Sequence, residues 1–314
     1  MMIILNAPQT EAALDYPGLI EALRQAHAGG KRPQSDTTVL QDRKSADNQF
    51  VSLVAWLEGE AVAVKLVGVF PANVKLPVAQ PSIQGTVTLF SGQTGEALMV
   101  CDGAIETFKK TAADSALGAS LLARKDVRTL LVVGAGGLAP HVVQAHCASR
   151  PSIDQVFIWN RNFDRAEKLA SRIDIAGVNI VAVEDLDNTV SKADVISCVT
   201  MSTGPLVKGK LLKEGAHVDL IGAYMPDMRE ADDDVFRRAG RVFVDTRHCC
   251  DGSGELGIPL ATGLINHEQI EADLVELCQG KHPGRSDDRQ ITVYKNVGGG
   301  HLDLFTAQYL YSTL

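Results

Sequence analysis

Residues 131–140 read LVVGAGGLAP, an apolar, strand-like run that passes directly into Gly134, Gly136 and Ala139. A G-x-G-x-x-A spacing at that junction suits a dinucleotide. The first glycine permits a tight turn and the second lets the backbone approach a pyrophosphate. The small third residue lets helix and strand pack closely, with the phosphates at the helix N-terminus. Gly134, Gly136, Gly137, Leu138 and Ala139 are therefore the expected cradle; the alternative is an α/β domain that has lost its nucleotide. The next strand ends in Trp159-Asn160-Arg161-Asn162, with no carboxylate where one would hold the ribose 2′-hydroxyl of NAD. Arg161 is suited to a 2′-phosphate, Asn160 and Asn162 to hydrogen bonds, and Arg165 stands one helical turn away. NADP(H) is favoured over NAD(H), which stays possible, and a solvated surface cation is the other reading of Arg161. Asp164 suits the N-cap of the helix that follows.

The elements around this loop change character near residue 123. Before it, Ala61 to Val69 (AVAVKLVGV) and Gly85 to Phe90 (GTVTLF) are β-branched, and SGQTG is a turn between strands, so an antiparallel sheet is expected. After it, LLVVGA, VFIWN, VNIVAV, DVISCV, HVDLIGA and RVFVD alternate with helical stretches, the order of a parallel sheet with crossover helices. A long Ala- and Leu-rich helix over about 104–124 joins the halves. The reading is an α/β protein with a Rossmann dinucleotide-binding domain at 123–288 and an α+β domain at 1–122, completed by 289–314.

Composition narrows the function classes. At 314 residues the chain has room for two cores. A net charge of -8 gives no broad positive field for nucleic acid or anionic lipid. Six cysteines without framework spacing, and no signal peptide, point to reduced thiols in a cytoplasmic protein. His248, Cys249, Cys250 and Asp251 are adjacent in sequence, and neighbours rarely converge on one ion, so no metal is expected.

The order of motifs resembles the ornithine cyclodeaminase/μ-crystallin family over nearly the whole chain. Carrying the resemblance are AVKLVGVFPAN, SGQTGEALMVCDG, ETFKKTAADSALGASLLAR, GAGGLA, DVISCVTMSTGPL, IGAYMPDMRE, SGELG and ITVYKNVGGGHLDL. The resemblance implies a homodimer whose first domain, with the last helix, binds substrate and makes the dimer contact. It also implies an amino acid or its imine placed between the domains against the nicotinamide. Lys65 looks like the family's active-site lysine, Asn73 falls in the same FPAN motif, and Lys110 stands where TxxRT usually supplies an arginine. A lysine there keeps the charge and loses the bidentate fork. A further arginine is absent, because Pro33 is followed by Gln34 and Ser35. Tyr224 occupies the position of an aspartate that handles the distal amine in cyclodeaminases; Asp227, three residues on, could compensate or simply shape the loop.

These residues favour an NAD(P)H-dependent reductase of a cyclic ketimine such as Δ1-pyrroline-2-carboxylate. Lys65 and Lys110 supply cations for the carboxylate, and Lys65 or a water supplies the proton to nitrogen. The alternatives are an ornithine cyclodeaminase releasing ammonia and a non-catalytic NADPH-binding protein. Thr200 and Pro205, after the fourth parallel strand, are expected at the nicotinamide, as is Lys295; a polar strand-end turn is the other reading of Thr200. No nucleic acid or membrane partner is expected.

Overall fold

The computed structural model describes every residue except Ala46, Ala79 and Cys249, and the side chain of Val74. In chain order the elements are β1 (Ile3–Ile4), α1 (Ala7–Ala13), α2 (Tyr16–Ala28), β2 (Gln34–Gln41), β3 (Gln49–Leu57), β4 (Ala61–Val69), β5 (Ile83–Ser91), β6 (Ala97–Asp102) and α3 (Gly103–Leu122). Then come β7 (Thr129–Val133), α4 (Ala139–Ser149), β8 (Gln155–Trp159), α5 (Phe163–Ala170), β9 (Asn179–Val183), α6 (Leu186–Val190), β10 (Val195–Cys198) and β11 (His217–Leu220). The chain finishes with α7 (Asp233–Ala239), β12 (Val242–Val244), α8 (Gly254–Ala261), β13 (Ile270–Asp273), α9 (Leu274–Cys278), β14 (Thr292–Lys295) and α10 (Gly300–Ser312). Two compact units result: Met1–Thr111 with Gly298–Leu314, and Ala112–Val297. Among the described residues no helix is long and apolar enough to cross a membrane.

In the first unit six strands run in the order β1-β6-β5-β4-β3-β2. All neighbours are antiparallel except β1 with β6. Strand periodicity puts Ala61, Ala63, Lys65 and Val67 of β4 on one face, where they are buried with Val87, Leu89, Met99 and Cys101 under α10. Lys65 is thus carried into the core by the alternation that buries its apolar neighbours.

The second unit holds eight parallel strands in the order β13-β12-β14-β11-β10-β7-β8-β9. Continuous runs such as LLVV of β7 and VISC of β10 are buried along their length, as parallel strands covered on both faces require. Sequence reading missed β13 and misplaced β14. The run 289–314 was expected to return whole to the first domain, yet Thr292–Lys295 pairs with β11 and β12, and only Gly298–Leu314 returns. The reason is burial: all four β14 residues are enclosed, which suits a central strand. The unit boundary likewise falls inside α3, whereas 122/123 marks that helix's end.

Candidate functional site

The chain runs β7-β8-β9 toward one edge of the parallel sheet, then resumes at β10 on the other side of β7. Ligands of open α/β sheets bind at such a reversal, outside the carboxyl ends of the strands. Gly134 begins the turn after β7 with φ 122°, a conformation that strains any L side chain, and its N–H donates to Trp159 O at 2.8 Å. A Cβ there would lie 3.0 Å from Val199 O and 3.2 Å from Thr200 Cγ2. A Cβ on Gly136 would meet no protein atom within 4 Å. Gly136 and Gly137 are exposed, and α4 starts behind them with no side-chain cap. An open glycine before an uncapped helix N-terminus leaves room and partial positive charge for a pyrophosphate, so these residues fit a dinucleotide.

The neighbouring strand ends bring the other expected residues to the same edge. Val133 pairs with Trp159 and with Cys198, so Asn160-Arg161-Asn162 and Thr200 flank the glycine turn on its two sides. The guanidinium groups of Arg161 and Arg165 are exposed and make no hydrogen bond or ion pair with the described residues. Asn162 caps α5 by accepting from Arg165 N at 3.3 Å, and Asn160 Nδ2 donates to Asn162 O at 2.9 Å. The N-cap expected of Asp164 therefore belongs to Asn162, and Asp164 lies in the first turn, where its charge still suits the dipole.

Glu230, which sequence reading passed over, organises this edge. Its Oε1 accepts from Thr200 N at 2.6 Å and Thr200 Oγ1 at 2.8 Å. Its Oε2 accepts from Gly222 N at 2.7 Å and Ala223 N at 3.2 Å. One sealed carboxylate therefore ties the loops after β10 and β11 together, and Glu255 holds the Glu230 and Ala231 amides at 2.6 and 3.1 Å. Burial, then the nearby Glu255 charge, push Glu230 up to about 7, against the pull of Lys295 and Thr200. Lys295 was expected beside the cofactor; the structure corrects this. Its side chain is fully enclosed, donates to Leu220 O and Ile221 O at 3.2 and 3.3 Å, and serves as counter-charge to Glu230 and Glu255. Beyond the clamp Tyr224 and Asp227 are exposed on the loop, while Gly254 N fixes Met225 O at 2.8 Å. Among the described residues no three His, Cys, Asp or Glu side chains are grouped to hold a metal ion. His248 is exposed and Cys250 buried, and Cys249 lies outside the described residues.

The first unit carries a second chemical centre. Lys65 Nζ lies 3.1 Å and Lys110 Nζ 2.9 Å from the same oxygen, Asp303 Oδ1. Lys110 also donates to Gly299 O at 3.4 Å, and Glu106 Oε2 stands 3.8 Å from Lys65 Nζ. Helical spacing explains the selection: Glu106 and Lys110 are one turn apart on α3 and face inward together. The adjacent Lys109 instead pairs with Glu11 at 2.7 Å and lies over the Tyr16 ring at 4.4 Å. Burial acts to raise the Asp303 carboxyl, but Lys110 and Lys65 more than offset it and hold it low. Glu106 goes the other way: burial, then repulsion from Asp303, push it up to about 8 despite the two lysines. Asn73 is engaged elsewhere, its Nδ2 donating to Pro81 O at 3.1 Å to close the loop between β4 and β5. Asp303 and Glu106 were missed by sequence reading; the available signals were an acid among the buried apolar residues of α10 and the one-turn spacing of Glu106 from Lys110 on α3.

The ornithine cyclodeaminase/mu-crystallin family model matches residues 9–314. The chain belongs to that family. It is similar to the Δ1-pyrroline-2-carboxylate reductase of Paracoccus denitrificans, with 39% identity over 298 residues, covering 95% of this chain and 92% of the relative. The family fold is shared by Thermococcus litoralis Δ1-pyrroline-2-carboxylate reductase, solved in complex with NADH and L-proline. That structure has a TM-score of 0.91 and 29% identity, covering 99% of this chain and 97% of that one. An archaeal alanine dehydrogenase, solved as a dimer with bound NAD, gives a TM-score of 0.87 at 25% identity, covering 99% and 95%.

Because a side chain at Gly136 meets only open space, Gly136→Val is expected to fold like the parent. It should bind NAD(P)H roughly tenfold or more weakly, through loss of the pyrophosphate approach. Thermal unfolding without nucleotide and fluorescence titration with NADPH and NADH check this; unchanged affinity would place the phosphates elsewhere.

Proposed function

We propose that the chain is a nicotinamide-dependent reductase of a small cyclic imino acid, Δ1-pyrroline-2-carboxylate foremost, yielding the L-imino acid. The observation that carries this reading is the convergence of Lys65 and Lys110 on one Asp303 oxygen. Two ammonium groups and one carboxylate leave a positive charge, which suits a substrate carboxylate. Lys65 also has a proton to give the ring nitrogen as the C=N bond is reduced. The bound nicotinamide supplies the hydride. The chain's own residues bind the carboxylate, fix its orientation and hold the proton at Lys65 Nζ. The names of the Paracoccus and Thermococcus relatives support the same substrate.

Ornithine cyclodeamination is the second reading, and Tyr224 argues against it. Its exposed phenol offers no carboxylate to manage an ammonium group. Reduced-nicotinamide absorbance followed with Δ1-pyrroline-2-carboxylate, beside an ammonia assay with ornithine and NAD+, separates the two. Cofactor consumption without ammonia is expected, and ammonia with proline from ornithine would overturn the reading.

For the cofactor we favour NADP(H). Support comes from the exposed Arg161 and Arg165 guanidinium groups and from Asn160 standing where a ribose-binding carboxylate would be. The Thermococcus and archaeal relatives, by contrast, were solved with NADH and NAD. Arg161→Asp should raise the KM for NADPH by about tenfold or more, the worth of a charge-assisted hydrogen bond, and change that for NADH far less. Equal losses for both would mean that Arg161 does not read the 2′-phosphate.

We further propose a homodimer formed across the outer face of the first unit's sheet. Phe50, Val54 and Trp56 of β3 are 45, 38 and 48% exposed, and Leu66 of β4 is 37% exposed on the same face. Such a contiguous apolar surface calls for a partner, and the archaeal relative was solved as a dimer. Sedimentation velocity should show a dimer that Trp56→Glu converts to monomer; a monomeric parent would refute the assignment.

A further inference from the structure

The buried cluster in the first unit contains one group that binding a carboxylate does not use. Glu106 is fully enclosed, and neither of its oxygens has a hydrogen-bond partner among the described residues. Its nearest cation is Lys65 Nζ at 3.8 Å, beyond hydrogen-bond length. Four titratable groups face it from every side: Lys65 from β4, Lys110 from its own helix, Asp303 from α10 and Cys101 from β6, whose thiol is itself raised by burial and then by Glu106. His301, at the start of α10, is pushed down to about 3 by burial and by His27, so it adds no charge near neutrality. An ionised carboxylate so enclosed would ordinarily draw donors to itself. Lys65 comes only to within 3.8 Å of Glu106, whereas both lysines make their short contacts, 3.1 and 2.9 Å, to Asp303.

We propose that Glu106 is a neutral carboxylic acid in the resting protein and acts through Lys65, returning the proton that Lys65 gives to the substrate nitrogen. This rests on the imino-acid reductase reading and deepens it. A bound reduced nicotinamide would supply the hydride for the new C–H bond as the C=N π bond breaks, and the chain's own part is the Lys65 N–H proton that forms the new N–H bond. The Glu106 O–H proton then restores the Lys65 ammonium, and solvent reprotonates Glu106 after product leaves. Charge follows the same course. With Glu106 neutral, two ammonium groups and Asp303 leave the cluster at plus one, matched to the substrate carboxylate. Once Glu106 has given up its proton the cluster is neutral and its hold on the product carboxylate weakens. Glu106 touches no substrate and tunes the group that does.

The sign of the pH effect follows. An anion that binds beside Glu106 favours its protonated form, so substrate affinity is full below about 8, the range to which its environment raises the group, and is lost as pH rises through it. The test is steady-state kinetics of the parent and Glu106→Gln with Δ1-pyrroline-2-carboxylate from pH 6.5 to 9.5. The variant cannot ionise, and comparison on one substrate cancels the substrate's own titration. The parent KM should climb about tenfold across the alkaline limb, as one ionisation per two pH units allows, while that of Glu106→Gln stays nearly flat and its kcat falls about tenfold or more. Parent-like kcat and pH profile in the variant would overturn the proposal. Should Glu106→Gln unfold, calorimetry of the parent with pyrrole-2-carboxylate, a planar carboxylate with no imine to reduce, still decides. Binding near pH 8 in buffers of different ionisation enthalpy should show proton uptake, and none would refute Glu106. A parent that binds the probe with proton uptake yet reduces no imine would refute the reductase reading alone.

Discussion

Two ammonium groups do not share an apolar interior unless an anion stands between them. Bringing Lys65 and Lys110 to the same oxygen of Asp303 takes three separate elements, β4, α3 and α10, and each contributes one charged side chain at a point where its periodicity turns inward. Removing an ion from water costs several kcal/mol even after relaxation, roughly the price of opening a large cavity. The cluster therefore fixes the first unit as much as it is positioned by it. The C-terminal helix is anchored to the sheet by this charge as well as by its apolar face, which explains why residues from the far end of the chain complete a fold begun at the other.

The second unit meets its electrostatic demands differently. Glu230 receives four donors, Glu255 two amides, and Lys295 two carbonyls, so each charge is bonded on the spot and held still. In the first unit Glu106 has no hydrogen-bond partner among the described residues, its nearest cation being Lys65 Nζ at 3.8 Å. Fully bonded charges make scaffolding; an under-bonded one keeps a proton that can move.

The parts of the architecture set by local pattern were legible in the sequence. The glycine turn, the antiparallel run before residue 123 and the alternating strands after it rest on spacing and β-branching, and the strands form where those features occur. β13 and β14 escaped because IEAD and TVYK, broken by charged residues within four positions, lack the apolar run that marks a buried parallel strand such as VISC. Asn162 took the cap from Asp164 because hydrogen-bond geometry at an offset of two residues, which composition does not encode, settles helix starts. The roles of Glu106, Asp303 and Glu230 depend on long-range pairing: Lys65 and Asp303 are 238 residues apart, and no local window contains both. Lys295 illustrates the converse, since a lysine after a strand looks available until the strand proves central and its ammonium is claimed by carbonyls.

Glu230 pins the loop after β11 at Gly222 and Ala223, Gly254 N holds it at Met225 O, and the side chains at 224, 225 and 227 are exposed. Such a segment is interchangeable at its tip: substitutions at Tyr224 or Asp227 change the exposed surface while the frame below is unmoved, because no bond of the clamp passes through those side chains. A fold built this way can diversify its chemistry by exchanging one or two exposed residues, with little loss of stability to repair. The load of holding the loop falls instead on the buried Glu230 carboxylate.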